Sequence, residues 1–130
     1  MRVLVLNPGS STLKAALLDA ESGDVVAAAA LEWAAGEERA GDVVGSAIDR
    51  LPAETADAVG YRVVHGGSRY RTAARVDDAL VEAVEALDSM APLHNRRAAA
   101  VMRAGRELLP ALPHVASFDT AFHADLPADA

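Results

Sequence analysis

The sequence predicts an α/β domain built on a mixed sheet. Three apolar runs near the start are separated by connections so short that they can join only antiparallel neighbours. Further along, segments with apolar residues at helical spacing alternate with short apolar runs, and helical crossovers of this kind can add parallel strands. Three antiparallel strands followed by helix-connected strands are typical of a ribonuclease-H-like layout.

Each element has its own signal in the sequence. Turn residues such as Asn7-Pro8-Gly9-Ser10 separate the early apolar runs, while Pro52 and Pro110 end helical patterns. The predicted strands are residues 2–7, 13–19, 24–33, 57–64 and 114–118, and the predicted helices follow Asp42, cover residues 77–89 and begin near Asn95. The last helix is expected to turn inward Ala98, Val101, Met102, Gly105 and Leu108.

The composition excludes several classes of function. The 130 residues carry a net charge of −7, which argues against broad nucleic-acid binding because that function needs a basic surface. There is no cysteine, so disulfide frameworks, thiolate metal sites and cysteine nucleophiles are absent. The apolar runs are far shorter than a membrane span, and the N-terminal run is too short for a signal peptide. We therefore expect one soluble, acidic, cytoplasmic domain.

The most informative segment is the turn from Asn7 to Lys14. Its hydroxyl groups and turn amides can donate hydrogen bonds to anionic oxygens, and Gly9 allows the backbone to approach closely. If its second half is extended, Ser10, Thr12 and Lys14 point to the same side, toward one anion. The pattern G-x-x-x-x-G-K-[ST] is absent, so the turn is not a P-loop. By itself it is either a phosphate-binding loop or an ordinary turn between strands.

A second segment, Gly60 to Gly67, contains an arginine within an apolar strand. The Arg62 guanidinium would cost desolvation free energy there unless it meets an anion, and its planar fork suits a carboxylate or a phosphate. A structural ion pair with a buried acidic residue is the alternative. His65, at the end of the same run, is either catalytic or hydrogen-bonded to loop backbone, and the second is the commoner role.

Two later segments carry further polar candidates. His94 lies between two predicted helices, where it either stabilises negative charge or helps to cap the helix that begins near Asn95. Asp119 follows the last predicted strand, at the carboxyl end where ligand sites of open α/β sheets lie. A single carboxylate there suits Mg²⁺, or it caps the next turn. His114 and His123 are expected to be structural or exposed.

Taken together, these segments closely resemble the acetate/propionate/butyrate kinase family. The family motif N-x-G-S-S-S-x-K corresponds to residues 7–14, and G-H-R-V-V-H-G-G corresponds to residues 60–67. The motif A-P-L-H-N-P corresponds to residues 91–96, and F-D-T-A-F-H appears at residues 118–123. The four motifs occur in the family's order and are spread over the whole chain.

The resemblance implies a fold of the sugar-kinase/Hsp70/actin type. It implies that ATP and acetate give ADP and acetyl phosphate in a reversible, Mg²⁺-dependent phosphoryl transfer. The implied phosphate-binding residues are Asn7, Ser10, Thr12 and Lys14, with Asn7 and Asp119 near the metal. The other implied site residues are Arg62 for the substrate carboxylate, Val64 and Leu93 for its methyl group, and His94 and Asp119 as catalytic residues.

The chain departs from the family pattern in four places. Thr12 replaces a serine, Tyr61 replaces the histidine before the arginine, and Arg96 and Arg97 follow Asn95 where proline is usual. The arginines are expected to add positive charge near the site and to reshape the loop. In length the chain corresponds to most of the family's first domain, so residues 1–130 are expected to form an incomplete N-terminal domain whose second domain is absent from this chain.

The resemblance also implies partners and leaves alternatives open. Acetate or acetyl phosphate and ATP or ADP are the expected ligands, without nucleic acid or membrane, and full-length family members are expected to be homodimers. The acyl pocket leaves propionate or butyrate kinase open. A degenerate module that binds phosphate or a partner without catalysis is the other alternative, because the 130-residue chain is expected to be inactive by itself.

Overall fold

The computed structural model describes residues 1–9, 11–33, 39–63, 74–86 and 94–118. The strands are β1 (Arg2–Pro8), β2 (Thr12–Asp19), β3 (Val25–Glu32), β4 (Ala58–Val63), β5 (Ala74–Arg75) and β6 (His114–Phe118). The helices are α1 (Ala40–Asp49), α2 (Asp78–Ala86) and α3 (His94–Leu108), and a 3-10 turn covers Ala53–Thr55.

The strands form one mixed sheet in the order β3-β2-β1-β4-β6-β5. The central strands β1, β4 and β6 are parallel to one another. On one side β2 and β3 continue the sheet antiparallel, and on the other side β5 pairs antiparallel with β6. The predicted architecture, three antiparallel strands followed by helix-connected strands, is therefore confirmed.

Helices cover one face of this sheet. Successive side chains of a strand point to opposite faces, and the buried positions of β1 and β2 are alternate residues such as Leu4, Leu6 and Leu13. On this face α3 packs against β1 and β4, α1 packs against β2 and β3, and α2 packs against α3. No described helix covers the opposite face, which carries the other alternate residues. None of the described helices is long and apolar enough to span a membrane.

The predicted elements agree with the observed ones to within a few residues, with two differences. The two-residue strand β5 was not predicted, because so short a segment has no periodicity. The prediction that Leu108 points inward is wrong: this side chain is 46% exposed, and Leu109 packs against the core in its place. Because α3 ends at Leu108, the helical periodicity no longer applies at the following residue.

Helix α3 makes a close contact with β4 at Gly105. The Tyr61 side chain of β4 is buried and lies against this glycine, whose missing side chain provides the space. A Cβ atom built on Gly105 would overlap the Tyr61 hydroxyl and lie 3.0 Å from Cζ. At this point of the helix–sheet interface, a tyrosine is packed directly on a glycine.

This contact predicts that Gly105→Ala destabilises the protein by about 1–3 kcal/mol, because the added methyl group forces a rearrangement in a packed core. Chemical denaturation measures the change. Gly45→Ala in α1 is the matched control: nothing lies within 4 Å of its Cβ position, so it should gain about 0.5–1 kcal/mol from better helix propensity. Equal effects of the two substitutions would contradict the proposed close contact.

Candidate functional site

The register of the sheet brings two predicted site residues opposite one another and places a third beside them. Lys14 of β2 is paired with Asn7 of β1. Between β1 and β4 the register pairs Leu6 with Tyr61, and the next positions along these strands are Asn7 and Arg62.

The same row continues into β6. Arg62 is paired with Ser117, so four adjacent strands contribute one residue each. We call Lys14, Asn7, Arg62 and Ser117 the polar row. All four lie on the face that no described helix covers, since their strand neighbours Leu6, Leu13 and Tyr61 point into the core.

The dimensions and charges of the polar row suit an anion. Neighbouring strands are about 4.8 Å apart, so the strands of Lys14 and Arg62 are separated by about 10 Å with Asn7 between them. The Lys14 and Arg62 side chains are exposed, and Asn7 is half-buried. Two cations flanking an amide can bind two anionic groups at once, such as a phosphate and a carboxylate.

Thr12 extends the candidate site along β2. It lies two residues before Lys14 and on the same face, as the alternating burial of β2 shows. The prediction that the Thr12 hydroxyl and the Lys14 ammonium share a side is therefore confirmed for these two residues, while Ser10 lies outside the described residues. Thr12 is paired with the exposed Glu32 of β3, which adds one carboxylate to this face.

The polar row lies at the carboxyl ends of the parallel strands. Asn7 is the next-to-last residue of β1, and Arg62 is the next-to-last residue of β4. Ligands of open α/β sheets bind at this edge, where the strands end and the loops begin. Strand β6 ends at Phe118 as predicted, and Asp119, the next residue, lies outside the described residues.

The turn between β1 and β2 is anchored by a buried arginine, Arg97 of α3, which is 5% exposed. Its Nε donates a hydrogen bond of 2.9 Å to the carbonyl oxygen of Gly9, and a terminal nitrogen donates to the carbonyl oxygen of Trp33. The guanidinium also stacks on the Trp33 ring, with Cζ 3.5 Å from the ring centroid. A cation–π contact and two hydrogen bonds thus hold one side chain in place.

Backbone hydrogen bonds complete this anchoring. The Gly9 amide donates to the Thr12 carbonyl at 2.8 Å, and the Trp33 amide donates to the Ser11 carbonyl at 2.7 Å. A Cβ atom on Gly9 would lie 3.2 Å from Thr12 Oγ1, tighter than an ordinary contact. Glycine at this position therefore leaves the Thr12 hydroxyl its place in the turn.

Tyr61, the residue before Arg62 in β4, forms a buried hydrogen-bonded pair with His114. The Tyr61 hydroxyl is 2.7 Å from His114 Nδ1, and His114 Nε2 is 2.8 Å from the Leu109 carbonyl oxygen. A carbonyl only accepts, so we assign the proton to Nε2 and let Tyr61 donate to Nδ1. Burial raises the pKa of the Tyr61 phenol far above its usual value. His114, which was expected to be structural or exposed, is therefore structural and buried.

One sequence-based argument needs correction. Arg62 lies in an apolar strand, yet its side chain is exposed, so the desolvation cost expected there does not arise. The alternation of β4 turns Tyr61 and Val63 into the core and Arg62 to the open face. The helix expected to begin near Asn95 is confirmed, since α3 begins at His94.

Several residues for which the sequence predicts a role, in the site or in the structure, lie outside the part of the chain that the structure describes. These residues are Ser10, Val64, His65, Leu93, Asp119 and His123, together with the side chain of His94. Among the described residues no group of three or more His, Cys, Asp or Glu could hold a metal ion.

The anchoring role of Arg97 was not predicted from the sequence. The signal was present: Arg97 is four residues before Val101 and eight before Gly105, on the inward face of the helix. An arginine at such a position must have buried partners, but the sequence does not identify backbone carbonyls as those partners.

Comparison with known proteins gives consistent results. A model of the acetokinase family matches residues 42–130. The chain is 35% identical over 150 aligned positions to acetate kinase 2 of Vibrio parahaemolyticus, covering 96% of this chain and 38% of the relative. It therefore spans well under half the length of that relative.

Solved structures show the same partial coverage. The crystal structure of Porphyromonas gingivalis acetate kinase superimposes with a TM-score of 0.75 at 29% identity, covering 98% of this chain and 39% of the other. A propionate kinase from Francisella tularensis gives a TM-score of 0.74 at 27% identity, with the same coverage. The fold class expected from the sequence is confirmed by these similarities.

The buried Tyr61 phenol predicts a specific alkaline effect. A phenol whose pKa is raised on folding stabilises the protein fully below its unfolded pKa of about 10, and that contribution is lost as pH rises further. Tyr61→Phe leaves His114 Nδ1 without its donor and should cost about 1–3 kcal/mol at pH 7. Above pH 10 the difference in free energy of unfolding between the natural chain and Tyr61→Phe should shrink by up to about 1.4 kcal/mol per pH unit.

Urea denaturation of both proteins at several pH values measures this difference. If it stays constant up to pH 11, the Tyr61 phenol does not keep its proton in the folded protein, and the assigned hydrogen bond is wrong.

Proposed function

Because the chain belongs to the acetokinase family, we propose that its polar row binds substrate in the transfer of a phosphoryl group between ATP and acetate. The observation that carries this proposal is the register that sets Lys14, Asn7 and Arg62 side by side at the carboxyl edge of the sheet. An ordinary turn between two strands would not need two cations and an amide on three adjacent strands. The row therefore favours the phosphate-binding interpretation of the turn.

The proposed roles follow from the chemistry of each group. Lys14 is a compact point charge that neutralises phosphate oxygens, and the Thr12 hydroxyl donates to them, together with Asn7 and Ser10. Arg62 has a planar fork that matches a carboxylate or an acyl phosphate. The exposed position of Arg62 supports this role, since a ligand can reach the guanidinium.

The reaction needs positioning and charge neutralisation more than acid–base chemistry. A carboxylate oxygen of acetate attacks the γ-phosphorus of ATP, the bond to the bridging oxygen breaks, and ADP leaves with the electron pair. Acetate is already ionised at neutral pH, so no base is required. Holding the carboxylate on Arg62 and the phosphates near Lys14 supplies the alignment on which the rate depends.

The remaining roles are proposed for residues taken from the family motifs. Val64 and Leu93 would form the apolar pocket for the methyl group, and His94, at the start of α3, would stabilise charge on the transferred group. Asp119 would act at the reacting phosphate. Asp119 and Asn7 would also hold Mg²⁺, which neutralises charge on phosphate oxygens when bound.

We propose further that residues 1–130 form an incomplete N-terminal domain of a two-domain kinase. The 38% coverage of the Vibrio parahaemolyticus relative supports this, as does a candidate site on a sheet face without a described covering helix. The whole protein would act in the cytoplasm, where ATP is available, as a homodimer without nucleic acid or membrane. The isolated chain is then expected to bind anions with little or no turnover.

A second candidate is the same reaction with a longer acyl group. The similarity to the propionate kinase of Francisella tularensis supports it almost as strongly as the similarity to an acetate kinase. Propionate and acetate differ by one methylene, so a ratio of kcat/KM values decides between them. A higher value with propionate or butyrate would favour this candidate.

The protein encoded by the entire reading frame should form acetyl hydroxamate from acetate, ATP, Mg²⁺ and hydroxylamine. Arg62→Lys should lower kcat/KM about 10- to 100-fold, mainly through the KM for acetate, because an ammonium cannot make the bidentate contact. The matched control is Arg75→Lys, an exposed arginine on the edge strand β5, which should retain activity. Full activity of Arg62→Lys would contradict the proposed role of this residue.

Binding can be tested on the 130-residue chain itself. Lys14 is the only lysine, so an amine-acylating reagent has two targets, Lys14 and the α-amino group of Met1. ATP should slow the labelling of Lys14 several-fold and leave that of Met1 unchanged, as peptide mass spectrometry would measure. Protection without turnover of the complete protein would indicate the non-catalytic binding module. Equal labelling with and without ATP would contradict phosphate binding by Lys14.

A further inference from the structure

We propose that Arg97 is a positioning residue, which holds the turn between β1 and β2 in the geometry that binds phosphate. This inference rests on the proposed function of the turn. Arg97 is 5% exposed, and its described contacts go to backbone carbonyls and an aromatic ring, so it acts through the turn and not on the ligand.

The contacts of Arg97 fix both sides of the turn. On the first side, Nε donates directly to the Gly9 carbonyl. On the second side, the guanidinium holds the Trp33 carbonyl, and the Trp33 amide donates to the Ser11 carbonyl. Arg97 therefore holds the Gly9 carbonyl directly and the Ser11 carbonyl indirectly, through Trp33, and these two carbonyls lie only two residues apart in the turn.

Fixing a carbonyl also fixes the peptide plane to which it belongs, because the trans peptide is rigid. The Gly9 and Ser11 carbonyls immediately precede and follow the middle of the turn, and Thr12 comes next. Without the guanidinium, these planes can rotate, and the orientation of the turn toward an anion is no longer determined. The loss would appear as weaker ligand binding.

Only arginine supplies this set of contacts. Its guanidinium is planar, so it stacks on the Trp33 ring while its edge donates to two carbonyls in different directions. A lysine at the same position retains the charge but cannot keep both hydrogen bonds and the stacking. Charge and geometry can therefore be separated by experiment.

Arg97 also links two candidate site segments. His94 begins the same helix three residues earlier, within the first turn of α3. The hydrogen bond from Arg97 to Gly9 thus fixes the start of α3 relative to the end of β1. A shift of this helix would therefore change the position of His94 relative to the turn.

The experiment uses the 130-residue chain with Arg97→Met, Arg97→Lys and the matched control Arg96→Met. Arg96 is exposed in the same helical turn, so its substitution removes the same charge one residue away. ATP and inorganic phosphate are titrated while the fluorescence of Trp33, the only tryptophan, is followed. Amide NMR signals of Gly9, Ser11 and Thr12 report on the turn in the same samples.

Arg97→Met and Arg97→Lys should both lower the affinity for ATP about 10-fold or more, since charged hydrogen bonds are lost in each. Arg96→Met should change it less than about threefold, as is usual for an exposed charge. If Arg97→Lys binds as the natural chain does, the charge alone matters and the positioning role is refuted. If Arg97→Met does not fold, the ATP affinity of Arg97→Lys, compared with those of the natural chain and Arg96→Met, decides.

Failure of the proposed function has a different signature. If the natural chain binds neither ATP nor phosphate, phosphate binding by this turn is refuted. The anchoring by Arg97 is then judged from the amide signals: they should move in Arg97→Lys and stay in place in Arg96→Met. Unchanged signals in both variants would overturn the anchoring itself.

Discussion

The structure depends on one constraint, namely that the described helices pack on a single face of the sheet. Because strand side chains alternate between faces, every second residue of a strand points into the core and the residues between them point to the open face. Leu6 and Tyr61 point into the core, and Asn7 and Arg62, the next residue of each strand, point to the open face. A shift of one residue in register would exchange the two sets, so the packing that stabilises the fold also determines which polar groups meet.

The buried guanidinium of Arg97 performs a task that hydrophobic packing cannot. The turn after β1 presents carbonyl groups toward the interior, and such groups need donors when they are buried. Arg97 provides a donor for the Gly9 carbonyl of this turn and another for the Trp33 carbonyl, and it covers the Trp33 ring at the same time. The described part of the core thus includes a charged side chain whose hydrogen-bonding capacity is used by the loop that carries the candidate site.

Sequence reasoning succeeded where the signal is local and periodic. Short turns between apolar runs gave β1, β2 and β3, and the alternation in β2 gave the common side of Thr12 and Lys14. It failed where a contact joins distant residues. The pairing of Tyr61 with His114 spans 53 positions, and that of Arg97 with Gly9 spans 88, so no local pattern records either of them.

The contact between Tyr61 and Gly105 has an evolutionary consequence. The hydroxyl occupies the volume in which any larger residue at position 105 would place its Cβ atom, so the two positions constrain each other. A histidine at position 61, as in the family motif G-H-R-V-V-H-G-G, has a shorter side chain and would leave that volume free. The requirement for glycine in this helix should then disappear, and substitutions at the two positions should be inherited as a pair.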